Sequence, residues 1–105
     1  MARVLCVVAD LMLSSRVSES LVAAGHEVLS VSALPESVQA EAIVCDLDAV
    51  DLGAIARTAI PSLGFYSHLD IKARRRAEEA GIDLIVPRSR MARELPQLLG
   101  KLLAG

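Results

Sequence analysis

Val4-Leu5-Cys6-Val7-Val8 is an unbroken apolar run, closed off by Asp10. A strand with one wet face alternates apolar and polar residues, whereas a strand covered on both faces has no need to. The run therefore predicts a strand in the middle of a parallel sheet, with a layer on each side. Ala42-Ile43-Val44-Cys45 repeats the pattern and ends sharply at Asp46-Leu47-Asp48. Glu27 to Val31, Leu63 to Tyr66 and Asp83 to Val86 read as three more strands.

Helical periods fill the gaps. Ser14 or Ser15 is expected to cap a helix carrying Val17, Leu21 and Ala24 inward, and Gly25 stops it. After Pro35, the segment Glu36 to Glu41 is expected to make one or two helical turns. Leu52, Ile55, Ala56 and Ala59 form the next helical stripe, with Asp51 as cap and Pro61 as stop. Asp70 is expected to cap a helix through Ala80, with Ala73, Ala77 and Ala80 inward, ended by Gly81. Leu95, Leu98, Leu99, Leu102 and Leu103 make an amphipathic last helix. Pro96 belongs in its first turn, which leaves residues 89–94 as a capped turn or a separate short helix. Five strands alternating with five helical segments predict one α/β domain over residues 1–105, a doubly wound parallel sheet with helices on both faces.

Bulk properties agree. The chain has 105 residues, room for one domain, and 53% are hydrophobic, with one Phe, one Tyr and no Trp. The core must be aliphatic, and base stacking on aromatic side chains is not available for nucleic-acid binding. Cys6 and Cys45 lie in apolar runs outside any zinc-like spacing and read as buried thiols. Met1 to Val8 is too short for a signal or a span, so a cytoplasmic, bacterial-type setting is expected. Residues 1–51 carry a net charge of −6 and residues 52–105 carry +4. Such asymmetry marks either a contact surface or two ordinary solvated faces.

With these elements in place, the chain resembles the receiver domain of response regulators. Val4 to Val8 looks like the family's first strand. Leu21-Val22-Ala23-Ala24-Gly25-His26-Glu27-Val28 looks like its first helix running into strand two, and Ala80-Gly81-Ile82-Asp83 like its approach to strand five. The resemblance implies a flavodoxin-like sheet in the order 2-1-3-4-5, with ligands beyond the carboxyl ends of the strands.

The same resemblance implies a site, and much of it is replaced. The phosphoacceptor position falls on Asp46. The family's magnesium-binding acidic pair falls on Val8 and Ala9, with Asp10 one residue late. The small hydroxyl of strand four falls on Tyr66, beside Ser67. The lysine of strand five falls on Arg88, followed by Ser89 where the family has proline. Without the acidic pair, magnesium affinity is expected to collapse, because a divalent cation needs several oxygen ligands. A planar guanidinium also does not reproduce a lysine ammonium.

Other residues have plainer roles. Asp10, Asp46 and Asp48 are three loop acids that either share a cation or are simply solvated. Ser67-His68 lacks the constellation a nucleophilic site requires. His26 reads as exposed and idle. Arg74-Arg75-Arg76 points in three directions on a helix, with Arg74–Glu78 and Arg75–Glu79 placed to pair. Lys72, Arg75, Arg76, Arg90 and Arg93 are the candidate interface, on the face that receivers commonly use for docking. No glycine-rich phosphate loop is present, and Cys6 is badly placed for a phosphocysteine.

The expectation is thus a non-catalytic receiver-like module that binds another signalling protein or a second copy of itself. No cofactor, nucleic acid or membrane is expected. A phosphoaccepting receiver built on Asp46, Asp10, Ser67 and Arg88, with magnesium, is the alternative. Binding of a small anion near Tyr66, His68 and Arg88 is a third reading.

Overall fold

The computed structural model describes residues 2–67 and 71–104. Nine elements follow in order: β1 (Arg3–Val7), α1 (Leu11–Ala23), β2 (Glu27–Val31), β3 (Ala42–Asp46), α2 (Leu52–Arg57), β4 (Ser62–Tyr66), α3 (Ile71–Glu79), β5 (Leu84–Pro87) and α4 (Arg88–Ala104). All neighbouring strands are parallel, and the sheet order is β2-β1-β3-β4-β5. The expected architecture is present.

The two-sided burial predicted for β1 and β3 is realised. Val4, Cys6, Ala42 and Val44 face one core, closed by Leu13, Val17 and Leu21 of α1 and Met91, Leu95, Leu98, Leu99 and Leu102 of α4. Leu5, Val7, Ile43 and Cys45 face the other, closed by Ile55 of α2 and Ala77 of α3. Alternation along each strand thus sends successive side chains to opposite layers. Cys6 and Cys45 are buried free thiols, and burial pushes both up to about 12, so neither is poised as a thiolate. No helix among the described residues is long and apolar enough to cross a membrane.

Helix ends follow the sequence at most points. Gly25 has φ +92°, and the His26 and Gly25 N–H groups donate back to the Leu21 and Val22 carbonyls at 3.0 Å each. That is a Schellman stop, which favours glycine; Gly81 repeats it at φ +89°. Asp51 caps α2 as expected, accepting from the Ala54 N–H at 3.2 Å. The expected Asp70 cap lies outside the described residues.

Three expectations need correction. The cap of α1 is Asp10, not Ser14 or Ser15. Its carboxylate accepts from the Met12 and Leu13 N–H groups, and the helix starts a full turn earlier. Ser14 is instead buried inside the helix. Second, Glu36 to Glu41 forms no helix. Val38 and Ala40 are half-buried against the second core, while Ser37, Gln39 and Glu41 are exposed. That two-residue period is the signature of an extended segment. The span of α4 is two helices meeting at a kink at Glu94 (φ −123°, ψ 16°), so of the two expectations for residues 89–94 the separate short helix is the one realised. Pro96 then sits in the first turn of the second piece, as expected, where a missing N–H costs nothing. Third, His26 is half-buried and employed: its Nδ1 accepts the Ala2 N–H at 3.0 Å, anchoring the start of β1.

One close approach sets the geometry of the sheet's carboxyl edge. A Cβ on Gly64 would come within 2.6 Å of the Leu47 Cγ. Leu47 therefore lies flat on β4 only because residue 64 has no side chain. Gly64→Ala should lower stability by about 1–3 kcal/mol through overpacking. Part of that loss should return in the Gly64→Ala/Leu47→Ala double variant, as a urea-denaturation double-mutant cycle would show.

Candidate functional site

The carboxyl ends of β1, β3, β4 and β5 bring Asp10, Asp46, Asp48, Ser67 and Arg88 to one edge. Asp46 is the last residue of β3 and is half-buried. Its carbonyl accepts from the Ala49 and Val50 N–H groups at 3.1 Å each, and its Oδ1 accepts the Asp48 N–H at 3.0 Å. The Leu47 N–H continues the ladder onto the Phe65 carbonyl at 2.8 Å. The turn after β3 is therefore fixed by the backbone, in the manner of an Asx turn.

Asp48 links this turn to the next one. Its Oδ2 accepts the Ser67 N–H at 3.0 Å, so the loops after β3 and β4 are tied together. Tyr66 closes β4 half-buried, and His68 lies outside the described residues. Arg88 opens α4 directly after β5, and its guanidinium lies 4.0 Å from the Asp10 Oδ2. Both partners are about half exposed, so the pair adds little to stability. The positive charge of Arg88 also acts on Asp46.

Partial burial raises the Asp46 carboxyl above the ordinary carboxylate range. Withdrawal from water is the largest cause. The Asp48 N–H opposes it, the charge of Asp48 adds to it, Arg88 opposes it, and Asp10 adds again. Asp46 thus feels the charges of two other carboxylates and one guanidinium. That balance disfavours a bound anion, since like charges at short range repel.

The magnesium site implied by the receiver resemblance does not fit these residues. Val8 is only 2% exposed and packs in the first core, where a carboxylate would be buried without water. Ala9 has no oxygen to offer. Asp10 has one oxygen committed to two helix N–H donors and the other facing Arg88. Asp46 and Asp48 each have an oxygen taken by a backbone N–H. Among the described residues, no group of three or more His, Cys, Asp or Glu is placed to hold a metal ion. The sequence suggested that Asp10 stands one residue late for a cation; the fold explains its position by giving it a helix to cap.

The candidate interface residues sit on α3 and α4, which cover opposite faces of the sheet and flank β5. Arg74 pairs with Glu78 at 3.0 Å. Arg75 and Arg76 are exposed on α3, and Arg75 makes no ion pair among the described residues. Lys72 is also exposed. On α4, Glu94 draws in Arg90 at 3.5 Å and Arg93 at 4.0 Å, and Arg93 also donates to the Ser89 carbonyl. The two halves of the set therefore differ: Arg75 and Arg76 on α3 make no ion pair among the described residues, and Arg90 and Arg93 on α4 are held by Glu94.

Sequence reading missed two polar anchors behind this edge. Asp83 accepts the Ser62 N–H at 2.9 Å, which ties the start of β4 to the turn before β5. His26 anchors β1 in a similar way. Single side chain to backbone bonds of this kind leave no spacing to read. The Asp10 cap was more accessible, because an acid just before a helix is an ordinary N-cap.

No protein-family model and no curated protein sequence matches the chain. Solved structures do resemble it. A CheY-like response regulator receiver domain protein from Methanospirillum hungatei superposes with a TM-score of 0.86 at 16% identity, over 99% of this chain and 94% of that one. The non-phosphorylated HemR receiver domain from Leptospira biflexa gives 0.81 at 18% identity, over 100% and 96%. A response regulator from Thermotoga maritima gives 0.81 at 14% identity, over 98% of each chain. Over its whole length, the chain has the receiver fold.

The raised Asp46 carboxyl has a consequence for stability. The folded chain binds this proton more tightly than the unfolded one, so ionised Asp46 subtracts from stability above its folded pKa. The penalty fades as pH falls through that value toward the ordinary carboxylate range. Asp46→Asn keeps the acceptor for the Asp48 N–H and removes the charge. It should raise Tm at neutral pH, with the gain shrinking under mildly acid conditions in calorimetric scans.

Proposed function

We propose that this receiver-fold domain is a signalling module that works by binding another protein, without catalysis and without a cofactor. The observation that carries this reading is the employment of Asp10. In a phosphoaccepting receiver, acids after the first strand hold a cation that offsets the charge of the incoming phosphoryl group. Here Val8 is core, Ala9 is apolar, and the Asp10 carboxylate caps α1 and faces Arg88. Phosphoryl transfer to Asp46 would gather two anions among existing carboxylates, with Arg88 alone to balance them. Electrostatic stabilisation is the main service a protein gives such a reaction, and this edge supplies little of it.

A receiver fold held in one state offers partners a constant surface. The exposed cations Lys72, Arg75 and Arg76 on α3, beside the β5 edge, are where we place a protein partner with an acidic surface.

Amide NMR with magnesium and beryllofluoride, a phosphoryl mimic, tests the chemical half of this reading. The Asp46, Asp48 and Ser67 amides should not shift at millimolar magnesium, alone or with the mimic. A saturable shift at Asp46 that vanishes in Asp46→Asn would overturn it and establish the phosphoaccepting alternative.

A further inference from the structure

The two edges of the sheet differ in how they are protected. β5 is four residues long and ends in Pro87, which has no N–H to offer a neighbour. β2 is Glu27-Val28-Leu29-Ser30-Val31, with no proline, no lysine and no bulge in its register against β1. Its one charged residue, Glu27, stands at the first position and pairs with Arg3 at 3.6 Å. That leaves Val28 to Val31 without a charge, and an open edge is a template for another strand.

The crossover after β2 also leaves this edge bare on one face. Because residues 32–41 form no helix, Leu29 is left 59% exposed. Leu29 aligns with Leu5 on the face of the second core. Beside it runs an apolar groove of 220 Å³ lined by Leu5, Leu29, Pro35, Val38 and Ala40.

The backbone of β2 decides what fits. The Glu27 N–H donates to the Ala2 carbonyl, and the Val31 carbonyl accepts from Val8, so these residues turn their backbone groups toward β1. In a parallel ladder the alternate residues turn theirs away. Val28 and Ser30 therefore present two N–H and two C=O groups outward, symmetrically about Leu29.

We infer that a second copy of this chain pairs with β2 edge to edge, antiparallel, with Leu29 on the twofold axis. In that register Val28 of one copy faces Ser30 of the other and exchanges both backbone bonds with it, and the second such pair does the same. All outward groups of both strands are used. Leu29 meets its counterpart as a non-hydrogen-bonded pair, where side chains approach most closely. Glu27 faces Val31 of the other copy, so no like charges are set opposite one another. The interface is isologous, the commonest form of closed dimer. With five residues per strand it falls at the small end of specific interfaces, so association should be weak and concentration-dependent. This inference rests on the β2 edge and is independent of the chemistry at Asp46.

Sedimentation velocity of the full chain from micromolar to millimolar concentration tests it. The wild type should shift toward dimer as concentration rises. Ser30→Pro removes an outward N–H that the β1 ladder does not use, and should weaken the dimer several-fold while the NMR fingerprint stays folded. Leu29→Lys and Leu29→Glu should each be monomeric alone and associate when mixed, because opposite charges then meet on the axis. A wild type that stays monomeric throughout would falsify the pairing. So would a dimer indifferent to Leu29→Lys, or a mixture of the two charge variants that fails to associate.

Discussion

Everything in this domain depends on the burial of β1 and β3 from both sides. Ala42, Ile43, Val44, Cys45, Val4 and Cys6 have no measurable exposure. Side chains alternate between faces, so neither strand can be satisfied by a single layer of helices. Two apolar layers must close over them, α1 and α4 on one side, α2 and α3 on the other. Parallel order then sends every strand's carboxyl end to the same edge, because each connection has to return over a face. The place where Asp10, Asp46, Asp48, Ser67 and Arg88 meet is a consequence of that burial.

What gathers there is a polar cluster held largely by backbone. The turn at Asp46 is closed by main-chain and Asx bonds, and Asp48 ties it to the loop after β4. Such bonds satisfy groups that burial would otherwise leave unpaired. They also occupy one oxygen each of Asp46 and Asp48. Burial and backbone bonds fix the shape of this edge, and shape alone says nothing about activity. Arg88 illustrates the trade: it holds positive charge near Asp46 yet shares it with Asp10.

The resemblance read from strand spacing extended to the architecture and stopped short of one crossover. Val38 and Ala40 look like candidates for a helical turn in a short window, yet their spacing serves an extended segment equally well. The core resolved the ambiguity by contacting every second residue. The loss of that helix is also what leaves Leu29 open on β2. At the other end of the sheet, the break at Glu94 and the place of Pro96 were legible, since proline tolerates only the first turn of a helix.

Continuous apolar runs, helix stripes, and the stops at Gly25 and Gly81 determined the layers, the parallel sheet and its order through the receiver resemblance. These are local patterns, and local patterns are written in spacing. They also placed Asp46 at a strand end and removed the acidic pair in favour of Val8 and Ala9. Only the tertiary structure decided what Asp10 does, that His26 and Asp83 serve as anchors, and that the second crossover lacks a helix. Each of those outcomes depends on a partner distant along the chain or on a competition for one carboxylate. Sequence neighbours do not record which donor arrives first.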